Sequence, residues 1–208
     1  MLSAEGLVHG FGATPVLDHV ALTVKPGDRV GIAGPSGVGK TTLGRILAGQ
    51  VAPHAGTVRW DGKPLGDYRG ASPVQLAPQS PELAVDPRWT IAEVLDNGGV
   101  VDGAVLAALG IQPAWGRRRS RELSGGELAR VSLARLLLPT TRVLICDEIT
   151  TQLDALAARQ IWSALLPLVA ERDIALIVIS HEDRLRSAVC TQEFTLSGGR
   201  LGGGRLVG

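Results

Sequence analysis

The sequence contains few aromatic residues, few cysteines and no long apolar run. Aromatic residues make up 3% of the 208 residues, and the two cysteines, Cys146 and Cys190, lack CxxC spacing. This usage excludes a cysteine-based zinc site and a disulfide framework, and it fits a reducing compartment such as the cytosol. No apolar run is longer than residues 174–179, which is far too short to cross a bilayer. We therefore expect a chain that does not span a membrane.

The charges of the chain are balanced. Lys plus Arg number 21 and Asp plus Glu number 20, which gives a formal net charge of +1. A dedicated nucleic-acid-binding protein carries a basic surface, so we expect no nucleic acid as a partner. Any recognition of phosphate must then come from a local motif. Residues 1–10 also lack a basic stretch followed by an apolar one, so we expect no secretory leader.

Short apolar segments alternate with amphipathic ones. Strand patterns occupy residues 17–24, 29–33, 57–60, 73–77, 143–146, 175–179 and 193–196. Helix patterns occupy residues 40–48 and 153–169, and another helix begins at Thr90, where Glu93 completes a capping box. Strands that alternate with helices predict a mainly parallel sheet with helices on both faces. With 45% apolar residues, the chain is long enough for one α/β domain over 1–208.

A glycine-rich loop follows the strand at 29–33 and precedes the helix at 40–48. It matches the pattern G-x-x-x-x-G-K-[ST] in full, with Gly34, Pro35, Ser36, Gly37, Val38, Gly39, Lys40 and Thr41. The glycines let backbone N–H groups converge on a β-phosphate, and the helix N-terminus adds the positive end of its dipole. Lys40 can reach the β- and γ-phosphates, and the Thr41 hydroxyl can bind Mg²⁺. The expected nucleotide site extends to Thr42. The alternative is a tight connection that binds nothing.

Two carboxylates follow the strand at 143–146. Asp147 is placed at the carboxyl edge of a buried strand, where parallel sheets bind their ligands, and it suits Mg²⁺ in a P-loop ATPase. Glu148 points the other way and can orient or deprotonate the water that attacks the γ-phosphate. The alternative, when this segment is read alone, is a solvated acidic end of a strand.

The segment Leu123-Ser124-Gly125-Gly126-Glu127 contains an S-x-x-E capping box just before a predicted helix. Ser124 therefore marks a helix N-terminus, and the two glycines leave its backbone N–H groups open to an anion. By itself the segment favours an ordinary helix cap. Placed between the phosphate loop and the acidic strand, it resembles the signature motif of ATP-binding cassette (ABC) proteins. The resemblance spans nearly the whole chain.

The resemblance implies an ATPase that uses ATP and Mg²⁺. It implies a P-loop α/β fold with a mainly parallel central sheet, an N-terminal antiparallel β subdomain and a short α-helical subdomain over about 80–138. In this family the signature of one subunit completes the nucleotide site of a second, so two composite sites in a dimer are implied. The implied partners are integral membrane permease subunits, a second ABC ATPase subunit, identical or different, and an extracytoplasmic substrate-binding protein. The implied location is the cytoplasmic face of the cell membrane.

Further positions match the family pattern one by one. Gln79 resembles the glutamine that senses Mg²⁺ and faces the membrane partner, and Leu153 with Asp154 resembles the loop that contacts the opposite subunit. His181 resembles the histidine that contacts the γ-phosphate, where an imidazole helps to position the catalytic carboxylate. Phe11 lies where the family places an aromatic ring against adenine. Alone, His181 would more often be a polar residue that ends a strand, and the alternative for Phe11 is simple packing in the core.

The chain departs from the family pattern in three ways. Glu127 stands where glutamine is usual, Ile149 stands where proline is usual, and the stretch between Gln79 and Ser124 is short for the helical subdomain. Glutamate keeps the capping function, and isoleucine changes only a turn, so we expect activity to survive both. The short stretch bears instead on the choice of membrane partner, which docks in that region.

Two segments, 79–90 and 144–148, resemble the oligopeptide, dipeptide and nickel importer branch, although we expect this chain to lack the C-terminal extension of that branch. Importers of this branch usually pair two different ATPase subunits. The resemblance therefore predicts a transport ATPase that serves the import of peptides or nickel. The alternatives are a soluble ABC ATPase acting on nucleic acid or ribosomes, and a regulatory dimer switch that binds ATP without driving transport.

Overall fold

The computed structural model describes residues 1–12 and 14–206. Its strands are β1 (Leu2–Phe11), β2 (Thr14–Val24), β3 (Arg29–Ala33), β4 (Ala55–Trp60), β5 (Lys63–Pro64), β6 (Val74–Ala77), β7 (Val143–Asp147), β8 (Ala175–Ile179), β9 (Gln192–Ser197) and β10 (Arg200–Leu206). Its α-helices are α1 (Lys40–Leu47), α2 (Ile91–Asp96), α3 (Gly103–Ala108), α4 (Gly125–Ala134), α5 (Ala155–Glu171) and α6 (Asp183–Val189). Short 3-10 turns lie at Leu65–Asp67, Pro81–Ala84, Pro113–Arg117 and Ser120–Glu122.

The larger sheet is six-stranded, in the order β10-β9-β3-β8-β7-β6. Every neighbouring pair is parallel except β9 with β10, which is antiparallel. In this register Ile179 at the end of β8 pairs with Ile32 of β3 on one side and with Asp147 of β7 on the other. The loops that follow β3, β7 and β8 therefore leave the sheet at one shared edge, where ligands of parallel sheets bind.

The smaller sheet is antiparallel and four-stranded, in the order β2-β1-β4-β5. The hairpin between β4 and β5 turns at Asp61 and Gly62, whose φ angles are 48° and 74°. Positive φ at both positions is typical of a two-residue hairpin turn. Helix α1 packs through Leu43 and Leu47 into one apolar core that contains residues of both sheets. This core fixes the position of α1, and with it the loop that precedes the helix.

Helix α5 covers the other face of the larger sheet. Its Ile161, Leu165 and Leu168 recur at helical spacing, and all three are buried in a second apolar core. The helix begins two residues later than predicted, because the Asp154 side chain caps it by accepting a hydrogen bond of 2.8 Å from the Ala157 N–H. The predicted capping box of Thr90 and Glu93 at the start of α2 is confirmed.

A third apolar core holds the region of short helices together. It consists of Val85, Ile91, Val94, Trp115, Leu128 and Val131, contributed mainly by α2, α4 and the turns between them. The predicted fold class, with its parallel sheet, antiparallel β subdomain and short helical subdomain, is confirmed. Among the described residues, no helix is long and apolar enough to cross a membrane.

Candidate active site

The loop between β3 and α1 is shaped to receive an anion. Gly39 precedes α1 with φ at 109°, and no side chain caps this helix, so the first N–H groups of α1 stay open to a ligand. Gly34 has φ at 143°, and a Cβ there would lie 2.4 Å from the carbonyl oxygen of Leu196. Only glycine fits at that position. The remaining predicted loop residues are Pro35, Ser36 and Gly37, which are exposed, and Val38 and Thr42, which are half-buried.

Lys40 lies at the base of this loop. It is 6% exposed, and its ammonium group donates hydrogen bonds of 2.8 Å to the carbonyl oxygens of Gly34 and Pro35. Both acceptors are neutral, and Lys40 forms no ion pair among the described residues. A buried ammonium whose partners are only carbonyl dipoles is well placed to bind a phosphate oxygen.

Asp147 ends β7 beside the first turn of α1. It is 4% exposed, and this burial raises the pKa of its carboxyl group above the usual value. A hydrogen bond with the Thr41 side chain opposes the rise in pKa, the negative charge of Glu148 adds to it, and the positive charges of Arg45 and Lys40 lower it. Thr41 and Asp147, two of the three predicted metal-site residues, thus lie beside one another. A bound divalent cation would offset the free-energy cost of burying this carboxylate in its charged form.

Glu148 turns sharply away from Asp147. Its φ is 51°, which is uncommon for a residue with a side chain, and its N–H donates a 2.9 Å hydrogen bond to the carbonyl oxygen of Ile179. This turn brings Glu148 Oε1 within 3.2 Å of His181 Nδ1. Ile149, which stands where proline is usual, is 8% exposed and packs in the apolar core around α5. This packing holds the turn in place without a proline. The structure therefore joins the carboxylate and imidazole that the motifs predicted.

A cleft of about 530 Å³ opens beside Asp147. Its polar lining includes Thr41, Gln79 and Asp147, so the three predicted metal-site residues share one space. Arg45 and Arg135 line the same cleft. Burial lowers the pKa of the Arg135 guanidinium, and its buried Nε atom has no hydrogen-bond partner among the described residues. Two arginines in the cleft that also contains Thr41, at the start of α1, make it attractive to a polyphosphate.

Sequence reasoning missed both arginines. Arg45 was detectable, because it follows Thr41 by one helical turn and therefore shares its face of α1. Arg135 was not, since it lies at the end of α4, and only the tertiary packing brings it to the cleft.

The signature segment caps α4. Ser124 accepts a hydrogen bond from the Glu127 N–H at 3.3 Å, and the Glu127 carboxylate accepts one from the Ser124 N–H at 2.8 Å. Glutamate thus performs the capping that glutamine would. In the described part of the chain, no residue of this segment lines the cleft. Ser124 is exposed, so the segment faces solvent rather than the phosphate loop of its own chain.

The glycines of this segment face the start of α5. A Cβ on Gly125 would lie 3.6 Å from the Leu153 side chain, and one on Gly126 would lie 3.6 Å from the Ala157 side chain. The signature segment and the predicted loop of Leu153 and Asp154 therefore form one continuous surface. Asp154 is exposed on it.

Phe11 ends β1 and is 66% exposed. Its ring meets the His9 ring edge-on, with 5.4 Å between the ring centroids, and its remaining surface is open to solvent. Such exposure argues against a residue of the core and leaves the ring available for stacking on a planar ligand.

The burial of Asp147 makes a testable prediction. Because its pKa is raised on folding, the ionised carboxylate lowers stability at neutral pH, and this cost disappears below the usual value of about 3.9, where both states are protonated. We expect Asp147→Asn to stabilise the ligand-free chain at pH 7 by about 1 kcal/mol, or roughly 2–4 °C in Tm. Thermal unfolding between pH 3 and pH 8 measures the effect.

Asp86→Asn is the matched control, because hydrogen bonds from the side chain and backbone of Arg88 lower the pKa of Asp86 to about 2. This variant should show no gain in Tm at neutral pH. A gain for Asp147→Asn that persisted at pH 3, or no gain at pH 7, would contradict the account.

The chain matches the family model described as ABC transporter over residues 17–151. The nickel import ATP-binding protein NikE of Rhodospirillum rubrum is 32% identical to it, over 94% of this chain and 77% of that protein. NikE of Escherichia coli K12 is 30% identical, over 100% of this chain and 88% of that protein.

Solved structures share the fold. The dimeric structure of MJ0796, a bacterial ABC transporter cassette, has a TM-score of 0.84 at 22% identity and covers 100% of this chain and 99% of that one. The structure of cbiO1 from Clostridium perfringens, part of the ABC transporter complex cbiONQ, has a TM-score of 0.78 at 24% identity, over 98% and 87% of the two chains. The resemblance that the motifs predicted is confirmed. The chain belongs to the ABC transporter family and is one of its ATP-binding, ATP-hydrolysing cassettes.

Proposed function

We propose that the chain hydrolyses ATP, bound with Mg²⁺, at the edge formed by β3, β7 and β8, and that hydrolysis drives import through separate membrane subunits. The observation that carries the proposal is the convergence of five side chains at this edge. Lys40 lies under the phosphate loop, Thr41 and Asp147 line one cleft, and Glu148 contacts His181. Positioning and charge stabilisation are what phosphoryl transfer requires of a protein.

The residues fit Mg²⁺. Thr41 and Asp147 offer oxygen atoms, which this hard cation prefers, and Gln79 adds an amide oxygen to the same cleft. When bound, Mg²⁺ supplies positive charge that neutralises phosphate oxygens. Lys40 would exchange its two carbonyl partners for phosphate oxygens, and the open N–H groups of α1 would bind the rest of the anion.

Glu148 is proposed as the general base. Its side chain is 19% exposed, so it can meet a water molecule while it stays in contact with His181. With the imidazole proton on Nδ1, His181 donates a hydrogen bond to Glu148 and directs Nε2 away from it. That nitrogen is then free to accept from, or donate to, a group in the nucleotide site. Phe11 is proposed to stack on the adenine ring.

A second cassette is proposed to complete each site. In a single chain the exposed segment Ser124–Glu127 faces away from the cleft, although its helix N-terminus and glycines suit an anion. The related cassette MJ0796 has been solved as a dimer. The signature surface of one cassette, together with Leu153 and Asp154, would then close over the nucleotide held by the other. This partner is either identical or different.

Nickel is the transported substance that we propose, with peptides as the alternative. The support is the identity of 30–32% with proteins named nickel import ATP-binding proteins. The proposed assembly includes integral membrane permease subunits that dock near Gln79 and the short helices, and an extracytoplasmic substrate-binding protein. The cassette would then lie at the cytoplasmic face of the membrane.

Glu148→Gln tests the general base. The substitution keeps the size of the side chain but removes the proton acceptor, so we expect ATP turnover to fall on the order of 10²–10⁴-fold while ATP binding persists. Turnover and nucleotide affinity of the purified chain measure the two effects. Glu182→Gln, in an exposed position next to His181, is the control and should keep normal turnover. Equal turnover in Glu148→Gln and the parent chain would refute the role of Glu148.

Mixing two inactive variants tests the composite site. Lys40→Ala disables the phosphate loop and Ser124→Arg blocks the signature surface, so each variant alone should lose most of its activity. In a mixed dimer, one of the two sites combines an intact loop with an intact signature. We expect the mixture to recover roughly a quarter of the parent activity if subunits exchange freely. If both functions lay within one chain, mixing would restore nothing.

Uptake in cells tests the transported substance. Deletion of the gene should lower the accumulation of radiolabelled nickel, and the parent chain or Glu182→Gln should restore it. Glu148→Gln should not, because transport would lack hydrolysis. Lower uptake of a labelled dipeptide with unchanged nickel would favour the peptide alternative. Normal uptake of both would count against import of either substance.

A further inference from the structure

We propose that Arg186 is a positioning residue for ATP hydrolysis, because it fixes the loop that carries His181 to the strand that carries the phosphate loop. The proposal rests on the proposed role of His181. Arg186 itself contacts neither the cleft nor Glu148, so its action would pass entirely through the backbone that it holds.

The guanidinium of Arg186 is buried and makes three directed contacts. Its side chain is 4% exposed. Nη1 donates a 2.6 Å hydrogen bond to the carbonyl oxygen of Ser180, and Nε donates a 2.8 Å hydrogen bond to the carboxylate of Glu193. Nη2 pairs with Asp183. The planar fork of an arginine can satisfy partners in three directions at once, which an ammonium group cannot do with fixed geometry.

Two of these contacts flank His181 in the chain. Ser180, the residue before it, is 1% exposed and accepts a hydrogen bond from the Glu182 N–H on its Oγ at 3.0 Å. Asp183 follows two residues after His181. The imidazole itself is 57% exposed and contacts Glu148 through one hydrogen bond. Its direction is therefore set by the bonds of Arg186 on either side of it, a buried one to Ser180 and one to the exposed carboxylate of Asp183, rather than by packing around the ring.

The third contact leads to the strand below the phosphate loop. Glu193 lies on β9, opposite Gly31 of β3. The Arg186 side chain also passes directly over Gly31, since a Cβ there would lie 3.4 Å from Arg186 Cδ. Three residues later β3 becomes the phosphate loop at Gly34. One side chain thus links the loop of His181 with the strand that positions the phosphates.

A purely structural role would not require these charges. Burial of an ion pair removes both partners from water, and apolar pairs of similar volume often replace such pairs without loss of stability. What an apolar pair cannot do is hold the Ser180 carbonyl and the two carboxylates at fixed angles. The arrangement therefore favours control of orientation, which matters where a shift of about 1 Å changes a rate on the order of 100-fold.

The test uses the double variant Arg186→Met with Glu193→Gln in the full chain. The single Arg186→Met variant would leave the half-buried carboxylate of Glu193 without its cation, whereas the double variant removes both charges of that pair and keeps the volume. We expect kcat for ATP to fall on the order of ten- to hundredfold, with KM changed less than about twofold, because the phosphate loop is intact. Arg186→Lys keeps the charge but loses the fork and should give an intermediate kcat.

Arg184→Met is the matched control, because Arg184 lies on the same helix and is exposed. It should keep the parent kcat. Circular dichroism and Tm establish that each variant is folded before kinetics are compared. A folded double variant with the parent kcat would overturn the proposal. So would a rise in KM without a fall in kcat, which is the signature of a damaged phosphate loop.

A double-mutant cycle with His181→Ala separates positioning from general damage. If Arg186 acts through His181, the double variant should lower kcat little further in the His181→Ala background. Independent, multiplying losses would overturn the proposal. A normal kcat for His181→Ala would mean that the proposed role of His181 has failed, and the inference with it. A low kcat for His181→Ala beside a normal one for the Arg186 double variant would refute the inference alone.

Discussion

Ile179 pairs with Ile32 of β3 on one side and with Asp147 of β7 on the other, and its carbonyl oxygen also accepts the N–H of Glu148 at 2.9 Å. This pairing aligns the ends of three parallel strands, so the loops that follow them start within a few residues of one another. The phosphate loop, the two carboxylates and His181 meet for this reason. A slip of one residue in the β7–β8 register would turn Asp147 to the opposite face of the sheet.

Several features of the site lower the stability of the ligand-free chain. Burial raises the pKa of Asp147 and lowers the pKa of Arg135, so the surroundings of both groups disfavour their charged forms. Glu148 adds a backbone angle that few side chains adopt. Such costs concentrate where a ligand is expected to repay them. The rest of the chain balances them with three apolar cores.

What could be predicted from the sequence is what is encoded locally. The phosphate loop and the capping boxes of Thr90 and Ser124 each lie within a few adjacent residues, so spacing alone shows them. Strand β10 was missed because its glycines carry no side-chain pattern, and it exists only through backbone pairing with β9. The pair of Arg186 with Glu193 was missed for a related reason. In the sequence, the two residues look like ordinary surface charges, and only the tertiary fold places them in contact away from solvent.

Two buried cations serve the same edge in opposite ways. Lys40 is bonded to two carbonyl oxygens, which a phosphate oxygen can replace because a charged acceptor binds an ammonium more strongly than a neutral one. Arg186 is hydrogen-bonded to two carboxylates and a carbonyl. Because two of these acceptors are already charged, a phosphate oxygen would not be a stronger acceptor for it. The first cation is therefore free to exchange partners when a nucleotide arrives. The second keeps its partners, and in its proposed role it would hold the loop of His181 in place while Lys40 exchanges its own.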